Sequence, residues 1–145
     1  MYLYGYSVGL AMERLTLNPP ELKDAREIGY NHGIVENGTF FMAGQVAMNS
    51  DSEVVAEDIE GQARKVYKNI GILLNEIDRS HEHIAKVTTH IIDPQEHYDG
   101  YKEVYWEVFD DPYPCHTVLG VDSLAHEDYL VEVEVAVPLP DGPPK

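Results

Sequence analysis

The run Val87-Thr88-Thr89-His90-Ile91-Ile92, followed at once by Asp93-Pro94-Gln95-Glu96, decides the fold class. Its β-branched side chains predict a strand over residues 84–92. Asp93 has the side chain of an N-cap, Pro94 suits a first helical position whose N–H has no partner anyway, and Glu96 is spaced to complete a capping box. A strand therefore passes directly into a helix. That helix carries Tyr98, Tyr101, Val104, Tyr105, Val108 and Phe109 on one face and stops before Pro112. Upstream, Ile59, Ala63, Val66, Tyr67, Ile70, Leu73, Leu74 and Ile77 recur at helical spacing behind an acidic first turn, which predicts a longer helix. Earlier still, Gly33-Ile34-Val35 and Thr39-Phe40-Phe41-Met42-Ala43 flank Glu36-Asn37-Gly38, and an Asn-Gly pair between apolar runs predicts a β-hairpin over 34–45. Two further strands follow at 115–121 and 129–137. In the second, Val131, Val133, Val135 and Val137 line one face, and Leu130, Glu132, Glu134 and Ala136 share the other. The sum is an α+β domain, a mixed β-sheet with two helices packed on one face. Apolar groups on the other face predict burial against sister subunits.

A length of 145 residues fits one domain, and 43% hydrophobic with 25% charged residues is ordinary for a globular chain. No apolar run approaches the roughly 18 residues of a membrane span, which excludes a membrane partner at this level. The opening MYLYGYSVGLAM has no basic n-region, so it does not read as a secretory signal, and a cytoplasmic location is expected. Four prolines and a glycine in 138–145 end the last strand, leaving 139–145 as a tail. The single cysteine cannot form an internal disulfide. Acids outnumber bases 26 to 10, for a formal net charge of −16. Such a surface repels phosphate backbones, which argues against a nucleic-acid partner, and it suits concentrated intracellular salt, where self-repulsion is screened.

Motifs for bound cofactors are absent: there is no GxGxxG, phosphate-loop lysine or nucleophile elbow, so no cofactor is implied. His81-Glu82-His83 offers two imidazoles, short of the three or four ligands of a metal site, and no metal is expected. Cys115 stands beside His116, but neighbours on a strand point to opposite faces, so the two do not form a nucleophile–base pair. Cys115 reads as a small buried hydrophobe with no catalytic role.

Gly29-Tyr30-Asn31-His32-Gly33, Phe41-Met42-Ala43-Gly44-Gln45, Gln62-Ala63-Arg64 with Asn69-Ile70, Val87 to Asp93, Tyr113-Pro114 and Val131-Glu132-Val133-Glu134 follow one another as in the Rid (YjgF) family. The resemblance covers 12–138, with 1–11 as an N-terminal extension and Met12 as an alternative start. It implies a chorismate-mutase-like fold and a homotrimer with a cleft at each subunit interface. It also implies hydrolysis of reactive enamines and imines to ketoacids and ammonia.

The same resemblance implies roles for particular residues. Glu132 matches the glutamate that positions the attacking water. Tyr30 matches a tyrosine at the cleft border, and Cys115 falls among the substrate-binding positions. His116 occupies the place of an arginine that grips the substrate carboxylate, and Ala43 that of a frequent serine. A histidine has no planar fork and is mostly neutral near pH 7, so a 2-imino acid is held less tightly here. His116 either donates to a ligand or moves a proton at the site, or it is a polar residue at a subunit boundary. Lys102, on the second helix, is the candidate to restore the positive charge. Two functions follow: a Rid-type hydrolase of a small C=N metabolite, or a trimer that binds such a metabolite without turnover. Ribonuclease activity, described for some members, conflicts with the acidic surface.

Overall fold

Asn37 and Gly38 have φ of 50° and 75°, both left-handed, as a two-residue turn requires if its twist is to match the strands it joins. They connect β2 (Gly33–Glu36) to β3 (Thr39–Met42) in the register Val35 to Phe40 and Glu36 to Thr39. The hairpin is the predicted one. The computed structural model describes residues 14–142 and 144. The proposed extension 1–11 and a start at Met12 lie outside the described residues.

The long helix α1 (Ile59–Glu76) begins where Asp58 Oδ1 accepts the Gly61 N–H, and it buries the predicted stripe from Ile59 to Leu74. The strand β4 (Lys86–Ile92) starts two residues later than predicted, because Ile84 closes a 3-10 turn at His81–His83. Helix α2 (Pro94–Val108) follows, but the capping box does not form. Asp93 is left-handed (φ 44°, ψ 69°) and its side chain caps nothing; its carbonyl instead accepts from the Glu96 and His97 N–H groups at 3.0 Å each. The strand β5 (Cys115–Val121) runs parallel to β4, and β6 (Val131–Pro138) pairs antiparallel with β4 and β3. With β1 (Leu15–Leu17), a three-residue edge that no sequence signal marked, the sheet order is β1-β2-β3-β6-β4-β5. The last strand begins at Val131 rather than Tyr129, since the Leu130 N–H goes to Gln62 Oε1 at 2.8 Å.

Both helices lie on one face. Val131, Val133, Val135 and Val137 point to them with Val87, Ile91, Phe40 and Met42, and all are buried. Ile34, Phe41, Leu119 and Ala136 lie on the opposite face, where Phe41 is 49% and Leu119 45% exposed. Leu139, just past the last strand, is fully buried and its N–H donates to Gly38 O at 2.8 Å, so the core extends into the proline-rich end.

Leu139→Ala is therefore expected to lower stability by about 2–4 kcal/mol in urea unfolding, whereas Asp141→Ala shifts it by less than about 0.5 kcal/mol. Equal small effects would place Leu139 outside the core.

Candidate functional site

On β6 the two-residue period that buries Val131 and Val133 turns Glu132 to the face without helices. There it stands opposite His90 of β4 in the strand register. Its carboxyl group is half-buried, and burial pushes its pKa up, with the Glu134 charge adding and His90 opposing. The close neighbour that makes this possible is Gly44, where a Cβ would collide with the Glu132 carboxylate. Gln45 fixes that approach by exchanging two backbone hydrogen bonds with Val133, at 2.8 and 3.0 Å.

Tyr30 hangs from the loop before β2, partly exposed, its ring edge-on to His32 at 6.0 Å. Buried polar groups hold that loop. The ring of His32 lies 2.6 Å from Lys23 O through Nε2 and 3.2 Å from Gln45 Nε2 through Nδ1, and the His32 backbone N–H donates to Asn18 Oδ1 at 3.0 Å. Tyr30 and Tyr129 wall a mainly apolar cavity of about 270 Å³ that reaches Gly44, with Leu22, Ala25 and Met48 behind them. The Tyr129 phenol is pushed up, first by burial and then by Tyr30 and Glu132. Tyr30, Tyr129, Gly44 and Glu132 thus form one neighbourhood. His32 and Gln45 belong to quoted motifs without an assigned role; their signal is that a histidine and a glutamine so deeply buried require partners.

His116 lies elsewhere. It pairs in register with Val87, whose side chain is in the core, so the imidazole faces the helices, on the opposite side of the sheet from Glu132. Its Nε2 is 3.1 Å from both Thr89 Oγ1 and Tyr101 Oη, and its ring stacks on Tyr105 at 4.3 Å and 4°. Tyr101 Oη lies 2.6 Å from Tyr67 Oη and 2.7 Å from Thr89 Oγ1. Four side chains from two helices and two strands form one buried polar cluster, which sequence reasoning missed. The readable signal was a pair of tyrosines on buried helix stripes, whose hydroxyls need partners. Burial, then the charges of Lys102 and Lys86, pull the His116 pKa down from 6.5 to about 4. The ring is neutral near pH 7 and supplies no replacement for a permanent cation.

Lys102 stands beside His116, in a groove it shares with Tyr98, Tyr105, Trp106 and Tyr113. Cys115 is exposed, not buried as expected, because the face it occupies carries no helix. Its thiol shares that face with Glu132 and diverges from His116, as strand alternation demands. His81 and His83 each serve local structure: His81 Nε2 sits 2.9 Å from Tyr67 O, and His83 Nδ1 accepts the Ser80 N–H at 3.1 Å. Within one chain, then, Tyr30 and Glu132 come together, His116 and Lys102 come together, and the sheet separates the two sets.

A six-stranded mixed sheet with two helices on one face, and a half-buried acid on the other, is the architecture of a small α+β protein with an open sheet surface. A family model described as endoribonuclease L-PSP matches residues 23–138. A RutC family protein of Pyrococcus abyssi is 32% identical over 77% of this chain and 88% of its own length. Among solved structures, YyfA of Yersinia pestis, from the conserved Rid protein family, is 28% identical with a TM-score of 0.79, over 87% of this chain and 99% of that one. Yeast Mmf1, at 23% identity and a TM-score of 0.80 over 87% of this chain and 98% of its own, shares the fold. The chain belongs to the Rid/YjgF family.

The neutral state of His116 has a measurable consequence. Between pH 6.5 and about 4 the unfolded chain takes up a proton at this position that the folded chain refuses, so the contribution of the neutral ring to stability is lost as pH falls through that window. Ring-resonance titration by NMR is expected to give His116 a pKa near 4, and His116→Phe to flatten the fall in stability over the window. A titration midpoint at 6 or above would contradict the buried cluster.

Proposed function

We propose that this protein is a Rid-type hydrolase of small enamines and imines, and that it works as a homotrimer with clefts between subunits. The carrying observation is Glu132: a carboxyl group on the helix-free face, half-buried, pushed toward neutrality, and seated against a glycine that leaves it room. The exposed Phe41 and Leu119 on that face support its burial by neighbouring copies. Glu132 of one chain and the Lys102–His116 groove of the next then border one cleft. Tyr30 packs on the ligand there.

In the proposed reaction Glu132 accepts a hydrogen bond from water and directs its oxygen to the carbon of the C=N bond. The C–O bond forms as Glu132 takes one proton of the water, the π electrons move to nitrogen, and nitrogen takes a proton from solvent. The carbinolamine then collapses: the amino group takes the proton held by Glu132, the C–N bond breaks as ammonia leaves, and the hydroxyl gives its proton to solvent as the carbonyl forms. A carboxyl group whose pKa is raised toward the working pH suits both halves of this transfer. With a neutral His116, a substrate carboxylate gains no charged grip at the arginine position. RNA is not proposed as a substrate, because a chain of net charge −16 repels its backbone.

The lowered His116 pKa also favours a second reading, a metabolite-binding trimer without turnover. One experiment separates the two. Purified protein is mixed with an amino-acid oxidase producing 2-iminopropionate, with semicarbazide as the competing trap. The hydrolase reading expects faster ketoacid release, and a loss of about 10²–10⁴-fold in Glu132→Ala. Native protein no better than that variant, with a metabolite that raises the melting temperature and keeps its mass on incubation, would establish the binding reading instead.

A further inference from the structure

Tyr98, Lys102 and Trp106 follow one another at intervals of four on α2, so their side chains share one stripe of the helix. The Lys102 ammonium lies 4.9 Å from the Trp106 ring centroid, 5.5 Å from that of Tyr98 and 5.7 Å from that of Tyr105. Its polar contact is a long 3.5 Å approach to Tyr98 Oη. Among the described residues the ion pairs of Lys and Arg are Arg14–Glu36, Arg26–Asp24 and Arg64–Glu107, and Lys102 is in none of them. In a chain with 26 acids and 10 bases, a lysine without a carboxylate partner, ringed by aromatic faces, is a cation left available. Aromatic rings attract the ammonium but do not neutralise it.

Around this cation runs a groove of about 520 Å³ between α2 and the start of β5. The stacked pair of Tyr105 and His116 forms its floor, and Tyr113 continues the series, 6.4 Å from Tyr105 at 25°. Trp106 is 58% and Tyr113 53% exposed. A lysine stem that only shelters apolar surface would account for the rings of Tyr98, Tyr105 and Trp106 that it covers, but not for the open ring of Tyr113. Flat, open aromatic faces beside one unpaired positive charge match a ligand with a planar apolar body and one negative end.

We infer that this groove binds a small aromatic carboxylate, such as an aryl-substituted 2-imino or 2-keto acid, with Lys102 taking the carboxylate and Trp106 and Tyr113 taking the ring. The cation that the strand position gave up is thereby supplied from the helix, and the substrate class of the proposed hydrolase is narrowed to aromatic acids. This rests on the hydrolase reading for turnover, but not for binding.

Trp106 is the chain's single tryptophan, so intrinsic tryptophan fluorescence reports on this groove. Titration of the full-length protein with phenylacetate is expected to change that emission saturably. Phenylacetamide, which lacks the charge, and acetate, which lacks the ring, should each bind about tenfold more weakly or less. Lys102→Gln should weaken phenylacetate about tenfold and abolish the salt dependence of its binding, while Lys102→Arg retains both. No saturable change with phenylacetate, equal binding of the acid and the amide, or an unaltered Lys102→Gln would overturn the inference. Phenylacetate binding with no acceleration of the hydrolysis of 2-imino-3-phenylpropionate, made by the amino-acid oxidase from phenylalanine, upholds the groove and removes the hydrolase; the reverse removes the groove alone.

Discussion

The alternation of side chains along β4 and β6, with both helices on one side of the sheet, is the constraint from which everything else follows. It sends Val133, Thr89 and Val87 into the core and Glu132 and His90 out of it. Because β5 continues the same register, His116 must face inward and Cys115 outward. Glu132, the acid of the proposed hydrolysis, and His116, which stands where the family resemblance expects an arginine, are therefore on opposite sides of a single sheet, and no side-chain rotation brings them together. A site that used both would need more than one copy, as the proposed trimer has, and the apolar groups left on the helix-free face favour such an assembly.

Facing inward changes what His116 is. An arginine carries its charge into almost any setting, whereas an imidazole gives it up when burial and two nearby lysines oppose it. The ring then becomes a neutral member of the Thr89–Tyr101–Tyr67 cluster and a stacking partner for Tyr105. Glu132 moves in the opposite sense for the same reason, since partial burial disfavours its ionised form. Each group is shifted toward neutrality, which suits Glu132 to the proton transfers proposed for it and leaves His116 without a positive charge near pH 7.

Much of the fold was legible because its signals are local. The Asn37-Gly38 turn, the α1 stripe and the valine alternation in β6 each depend on residues within a few positions, and each stands where it was read. Glu132 and Tyr30 were named from the family resemblance alone, and the structure places Gly44 and Tyr129 beside them. Other features depend on contacts the sequence order hides. The capping box at Asp93 matched its motif, but a left-handed backbone there turned the carboxylate away. Leu139 sat among prolines and still entered the core, because the hairpin tip at Gly38 was waiting for its N–H. The cluster at His116 joins four elements far apart in the chain, so pairwise spacing carries no trace of it.

Subunit complementation tests the shared cleft most directly. Glu132→Gln and Lys102→Gln chains, each strongly impaired alone at substrate well below saturation, are unfolded together, refolded, and the mixed trimers confirmed by native mass spectrometry. If each cleft draws its acid from one chain and its groove from the next, random mixing rebuilds about a quarter of the clefts with both native residues, and activity returns to roughly that share. Mixed trimers no more active than their parents would contradict the account.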